Sequence, residues 1–175
     1  DDNEIIGASV VGLIYVNPEG VMGIPDPNAS VVRIREIFGR MGMNDSETVA
    51  LIGGGHAFGK SHGACTTGPG PNPSEDPDNP WPGTCNDPDN DYPMGQGLNT
   101  FTSGIEGQWT TNPFVWDNEY FTQLVEYGEN YTLEIGPGGK NQWKNPVNGY
   151  LMLTTDLALI YDEGYMDMVE LFASS

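Results

Sequence analysis

The sequence predicts an all-α fold, its helices joined by long irregular loops and accompanied by one small hairpin. Three observations predict it: apolar residues at helical spacing in the first third, a capped second helix close behind, and a proline-rich stretch of 28 residues without any period. The length of 175 residues suits a single domain, residues 1–175, with a loop insertion at 66–93. Apolar residues make up 37% and charged residues 18%, which fits neither a charge-driven disordered chain nor a membrane protein. The longest apolar stretch, Ala8 to Val16, is too short to cross a bilayer.

In chain order, an apolar entry is followed by a turn at Asn17-Pro18-Glu19-Gly20. A first helix is expected from about Ser30 to Met41, with Val31, Ile34, Ile37, Phe38 and Met41 on one face. Asn44 or Asp45 caps a second, with Glu47 in its first turn and Val49, Ala50 and Ile52 after it. That helix carries Gly53-Gly54-Gly55-His56, and three glycines in a helix are costly. Residues 66–93 hold eight prolines; a loop of this length is usually functional or wraps a partner. Asp87, Asp89 and Asp91 alternate near its end in the manner of calcium ligands, without the Gly and terminal Glu of an EF-hand. Beyond it, Glu119 to Tyr127 reads as a helix, Gly136-Pro137-Gly138-Gly139 as a turn, and Leu151 to Ile160 as an apolar stretch leading to a last helix from about Glu163 to Phe172.

Charge narrows the partners. Six Lys and Arg against 25 Asp and Glu give a formal charge of −19, which argues against nucleic acid and against an anionic membrane surface. Such acidity suits a cation-rich or high-salt compartment, a basic protein partner, or solubility alone. Cys65 and Cys85 flank the proline-rich loop and are a disulfide candidate in an oxidising compartment. Sequons at Asn28, Asn44 and Asn130 are common by chance and add little, and the Asp1-Asp2-Asn3-Glu4 start reads as processed or trimmed. The disulfide candidate leans the expected location toward an extracytosolic space, an organelle lumen such as the thylakoid or the secreted side.

Alone, His56 on an apolar helix is more often a satisfied core residue than a ligand. The block around it, Glu47-Thr48-Val49-Ala50-Leu51-Ile52-Gly53-Gly54-Gly55-His56-Ala57-Phe58-Gly59-Lys60-Ser61-His62-Gly63-Ala64, changes that. It resembles the proximal-histidine segment of catalase-peroxidases, class I haem peroxidases. Gly12 to Gly20, Pro25-Asp26-Pro27 and Ile34 to Asp45 are similar to the same family, as are Thr102 to Thr110, Trp116-Asp117-Asn118 and Met152 to Leu159. The resemblance covers most of the chain except about 66–93 and a linker near 136–150.

The fold it implies is a haem-peroxidase-like helical domain, truncated to the proximal half, and the function is hydrogen-peroxide-dependent oxidation with haem b. By resemblance, His56 matches the haem-iron ligand, Asp156 its carboxylate partner and Trp109 the proximal tryptophan. Gly55, Phe58, Lys60, Ser61 and His62 are expected around the cofactor, and the glycines before His56 would let a flat macrocycle approach the helix. His62, six residues from His56, is off the helical spacing for a shared metal site. Tyr15 and Met41 match two members of the family's covalent Met-Tyr-Trp adduct. Core packing is the preferred reading of both, because the distal tryptophan of that adduct is absent.

The family's distal Arg-x-x-Trp-His arrangement, which moves the peroxide proton and stabilises charge as the O–O bond breaks, has no counterpart here. Two expectations follow: a peroxidase module whose own turnover is weak or absent, or a non-catalytic peroxidase-like subunit of a larger assembly, for example a lumenal subunit of a photosynthetic complex. Under either, a protein partner is expected over the haem-side face, since half of a haem sandwich exposes apolar surface.

Overall fold

Local sequence explains where each helix starts. The computed structural model describes residues 16–61, 74–75, 105–136 and 139–175. Helix α1 (Pro27–Arg40) begins three residues earlier than the apolar spacing suggests. The Asp26 side chain accepts the Ala29 N–H at 3.3 Å, and Pro27 takes the first helical position, where a missing N–H costs nothing. Helix α2 (Asp45–His56) starts with a full capping box: the Asn44 side chain accepts from the Glu47 N–H at 2.8 Å, and Glu47 accepts from the Asn44 N–H at 2.9 Å.

After α2 the chain makes a short strand, β1 (Lys60–Ser61), which pairs antiparallel with β2 (Gly107–Gln108). Helix α3 (Glu119–Tyr127) follows as expected. The region read as a linker near 136–150 holds β4 (Asn141–Lys144), the middle strand of an antiparallel three-stranded sheet whose outer strands, β3 (Thr132–Ile135) and β5 (Leu151–Met152), flank it in the chain. The expected glycine turn is the β3–β4 connection, where Gly139 N–H donates to the Gly136 carbonyl at 2.9 Å. Leu151 to Ile160 divides in three: β5, then a single turn of helix α4 (Thr154–Leu157), then a 3-10 turn. Every residue from Leu151 to Leu159 is buried, Thr154, Thr155 and Asp156 included, and this masks any period. Helix α5 (Glu163–Ala173) closes the chain, capped by Asp162.

The fold is mainly helical, with the sheet as an accessory. Helix α5 packs against α2 and α3, and α1 packs against α4. Ile34, Val49, Leu124, Leu157, Leu159 and Val169 are fully buried between them. Arg35 ties three helices together at the surface. Its guanidinium donates to both oxygens of Asp45 (3.0 and 2.8 Å) and both of Asp162 (3.1 and 2.6 Å), and sits 4.4 Å from the Tyr165 ring centroid. Hydrogen bonding from Arg35, opposed by a smaller cost of burial, holds the Asp162 carboxyl below its usual range.

Met41 departs from the core-packing reading: as the C-cap of α1 it is 59% exposed. The α1 face ends at Phe38, and Gly42, with φ of 82°, turns the chain away. Tyr15, His62, Cys65, Cys85, the aspartates of the calcium reading and nearly all of the 66–93 loop lie outside the described residues. Among the described residues, no helix is long and apolar enough to cross a membrane.

Candidate functional site

The site is assembled on the C-terminal turn of α2 by one buried carboxylate. Asp156, in the first turn of α4, is fully buried and accepts four hydrogen bonds. Its Oδ1 accepts from His56 Nδ1–H at 2.8 Å and from the Tyr120 hydroxyl at 2.8 Å. Its Oδ2 accepts from Trp109 Nε1–H at 2.8 Å and from its own helix's first backbone N–H, that of Leu153, at 2.7 Å. A buried carboxylate needs this many donors to remain ionised. Burial pushes the Asp156 carboxyl upward, but attraction and hydrogen bonding from His56, with the bonds from Leu153 and Trp109, outweigh it and leave the group below its ordinary value.

Trp109 lies nearly parallel to the His56 ring, with centroids 4.2 Å apart and planes 13° from each other. Three contacts hold the tryptophan's segment. Gln142 of β4 clamps the Glu106 backbone, donating to its carbonyl at 3.1 Å and accepting its N–H at 3.0 Å. Gly59 N–H donates to the Pro113 carbonyl at 2.6 Å. Gly107 sits with φ of 143°, where an added Cβ would meet the Leu151 side chain at 3.1 Å, so the strand can pass close to β5.

The glycines before His56 have two different surroundings. A Cβ on Gly53 would fall 2.1 Å from the Phe121 ring, so this glycine lets α2 and α3 come together. That is a helix-packing role. Cβ atoms on Gly54 and Gly55 would meet nothing within 4 Å among the described residues. The open side continues through Phe58, whose ring lies 4.8 Å from that of Trp116, and Trp116 donates its indole N–H to the Gly54 carbonyl at 2.8 Å. Phe58 is 40% exposed and Trp116 74%.

The structure therefore brings His56, Asp156 and Trp109 together, with Gly55 and Phe58 on the open side of the same turn. Ser61 donates its hydroxyl to the Ile105 carbonyl at 2.9 Å. Lys60 lies on β1 beside it. His56 Nε2 has no hydrogen-bond partner among the described residues, and the side chain keeps 22% of its surface exposed. No group of three or more His, Cys, Asp or Glu side chains able to hold a bare metal ion occurs among the described residues.

Tyr120 is the site residue that sequence reasoning did not single out. A signal existed: it shares a face of α3 with Leu124, four residues on, and a tyrosine on a core-facing stripe usually finds a partner for its hydroxyl. Burial and the neighbouring Asp156 carboxylate push the phenol well above its ordinary value, so it acts as a donor.

Comparison with known proteins shows the family of the chain. The Peroxidase family model matches residues 10–175. The chain belongs to the peroxidase family. Catalase-peroxidase 1 of Haloarcula marismortui is 46% identical over 193 aligned residues, covering 98% of this chain and 26% of that protein. The catalase-peroxidase of Geobacillus thermodenitrificans is 44% identical, covering 98% of this chain and 25% of its own length. Catalase-peroxidase 2 of Legionella pneumophila is 43% identical, over 95% and 24% respectively. This peroxidase chain is thus a catalase-peroxidase-like module that spans about a quarter of the length of the curated relatives it matches.

Proposed function

We propose that the chain is a haem-holding module of a catalase-peroxidase-like protein, with His56 Nε2 as the iron ligand. One observation carries the reading: the His56 ring is bonded through Nδ1 to a fully buried carboxylate and stacked on an indole bonded to the same carboxylate. The residues fit the group. An imidazole whose Nδ1–H is held by a carboxylate presents its other nitrogen as a lone pair, which is how second-shell partners prepare a metal-ligating histidine. When bound, haem would supply the redox-active iron for peroxide chemistry.

The chain's own residues do the rest. Asp156 keeps the proton on Nδ1 and fixes the ring's direction. Trp109 limits rotation of the imidazole and satisfies the second carboxylate oxygen through its N–H. Among the described residues nothing obstructs the helix at Gly54 and Gly55, and Phe58 and Trp116 offer an apolar rim that excludes water once covered. A further protein segment or partner chain over that rim is part of the proposal.

Peroxide turnover by these 175 residues alone is proposed to be weak or absent. The three arginines all lie on α1 in ion pairs with acidic side chains: Arg33 and Arg40 with Glu36, and Arg35 with Asp45 and Asp162. That engagement also supports a second reading, a subunit that keeps the fold and the haem-ready histidine without turnover. Titration of ferric haem into the chain tests the ligand. The expected result is a saturable one-to-one Soret change that is lost in His56→Ala. A flat titration, or a spectrum indifferent to that substitution, removes His56 as the ligand. Absence of haem absorbance in native material, with binding intact in vitro, favours the subunit reading.

A further inference from the structure

Two donors converge on one oxygen of Asp156. His56 Nδ1–H and the Tyr120 O–H both reach Oδ1 at 2.8 Å, while Trp109 and the Leu153 N–H share Oδ2. Tyr120 is fully buried, and its ring meets the His56 ring edge-on, with centroids 5.8 Å apart and planes at 69°. Satisfying a buried hydroxyl requires one acceptor of any kind. Here the acceptor is the very oxygen that orients the imidazole, and an oxygen already polarised by one donor accepts a second less strongly.

We infer that Tyr120 is a positioning residue that tunes His56: by drawing on Asp156 Oδ1 it weakens the carboxylate's pull on the imidazole proton and so limits the electron donation available at Nε2. The effect on Nε2 follows because a stronger bond at Nδ1 makes an imidazole a better donor through its other nitrogen. The first half of the inference concerns the haem-free chain. The second, that the ferric state is less favoured than it would be without the hydroxyl, rests on the reading of His56 as iron ligand.

Tyr120→Phe removes one oxygen and keeps the ring packed between His56 and Phe121, against which it lies edge-on at 5.3 Å. In the haem-free chain, proton NMR of the His56 Nδ1–H is expected to show a downfield shift in the variant, reporting a tighter bond to Asp156. With ferrous haem bound, the iron–imidazole stretch is expected at higher frequency, and the midpoint potential is expected to fall. Site-specific replacement of Tyr120 by a fluorotyrosine, a stronger O–H donor of nearly the same shape, is expected to move all three readouts the opposite way. A folded Tyr120→Phe chain with the resonance and the stretch both unmoved overturns the inference and leaves Tyr120 as packing. Should the Phe variant not fold, an unmoved resonance in the fluorotyrosine chain overturns it equally. A shifted resonance in a chain that binds no haem upholds the tuning of His56 and removes the ligand reading instead.

Discussion

Helix α2 is anchored by a carboxylate at each end, and the two anchors are built on opposite principles. At its start, Asp45 meets the Arg35 guanidinium, and both side chains remain more than a third exposed, at 38% and 42%. At its end, His56 meets Asp156, which is fully buried and surrounded by neutral donors together with the imidazole. The first pair is formed from groups that water solvates nearly as well, so it contributes modestly. The second exists because water is excluded, and its donors have no replacement acceptor once the carboxylate is gone. The exposed anchor ties the start of the helix to α1; the buried one sets which way a functional side chain points.

The largest expected effect comes from breaking the buried end. Asp156→Ala strands the His56, Trp109, Tyr120 and Leu153 donors, and urea unfolding of the haem-free chain should show a loss of about 3–5 kcal/mol. A loss near 1 kcal/mol would mean that water reaches the cluster and that the contrast between the two ends is false. Next in size is Gly53→Ala. The Phe121 ring must give way to the new methyl group, costing about 1–3 kcal/mol. Gly55→Ala, with open space around it, should be neutral or stabilising in the same assay.

The smallest effect belongs to the exposed end. Arg35→Gln should cost about 1 kcal/mol at low salt and less at high salt, since its partners are screened by solvent. It should also alter the acid limb of stability. Arg35 holds the Asp162 carboxyl below its ordinary value of 3.8, so the contribution is complete above that pH and is lost as pH falls through the lower folded value. In Arg35→Gln that part of the acid loss should shrink, as read from melting temperature against pH. An unchanged acid limb would detach Asp162 from Arg35.

The sequence made the helices legible because their signals are local. Asn44 with Glu47 is a capping pair visible within four residues, and the α3 and α5 stripes repeat at helical spacing. It failed at Leu151 to Leu159, where burial on all sides removes the period, and at the sheet, whose pairing between β4 and β5 depends on Trp143 and Met152 facing each other. At the site, His56, Trp109 and Asp156 were legible through long motifs in a family's order. Tyr120 was not, because its role is defined by an oxygen 36 residues away in the chain. The two roles of the neighbouring glycines were equally hidden, since Phe121 comes to Gly53 from another helix.

The separations around Asp156 have a kinetic consequence. Its partners lie 100, 47 and 36 residues away along the chain, in three different segments. Closing such loops is entropically costly and brings little reward until all three strands of the chain have arrived. The helices can form early from their own caps and stripes, whereas the carboxylate becomes satisfied only at the last step of assembly. Completion of the cluster is therefore expected late in folding, so that substitution of Asp156 should speed unfolding more than it slows refolding in stopped-flow kinetics.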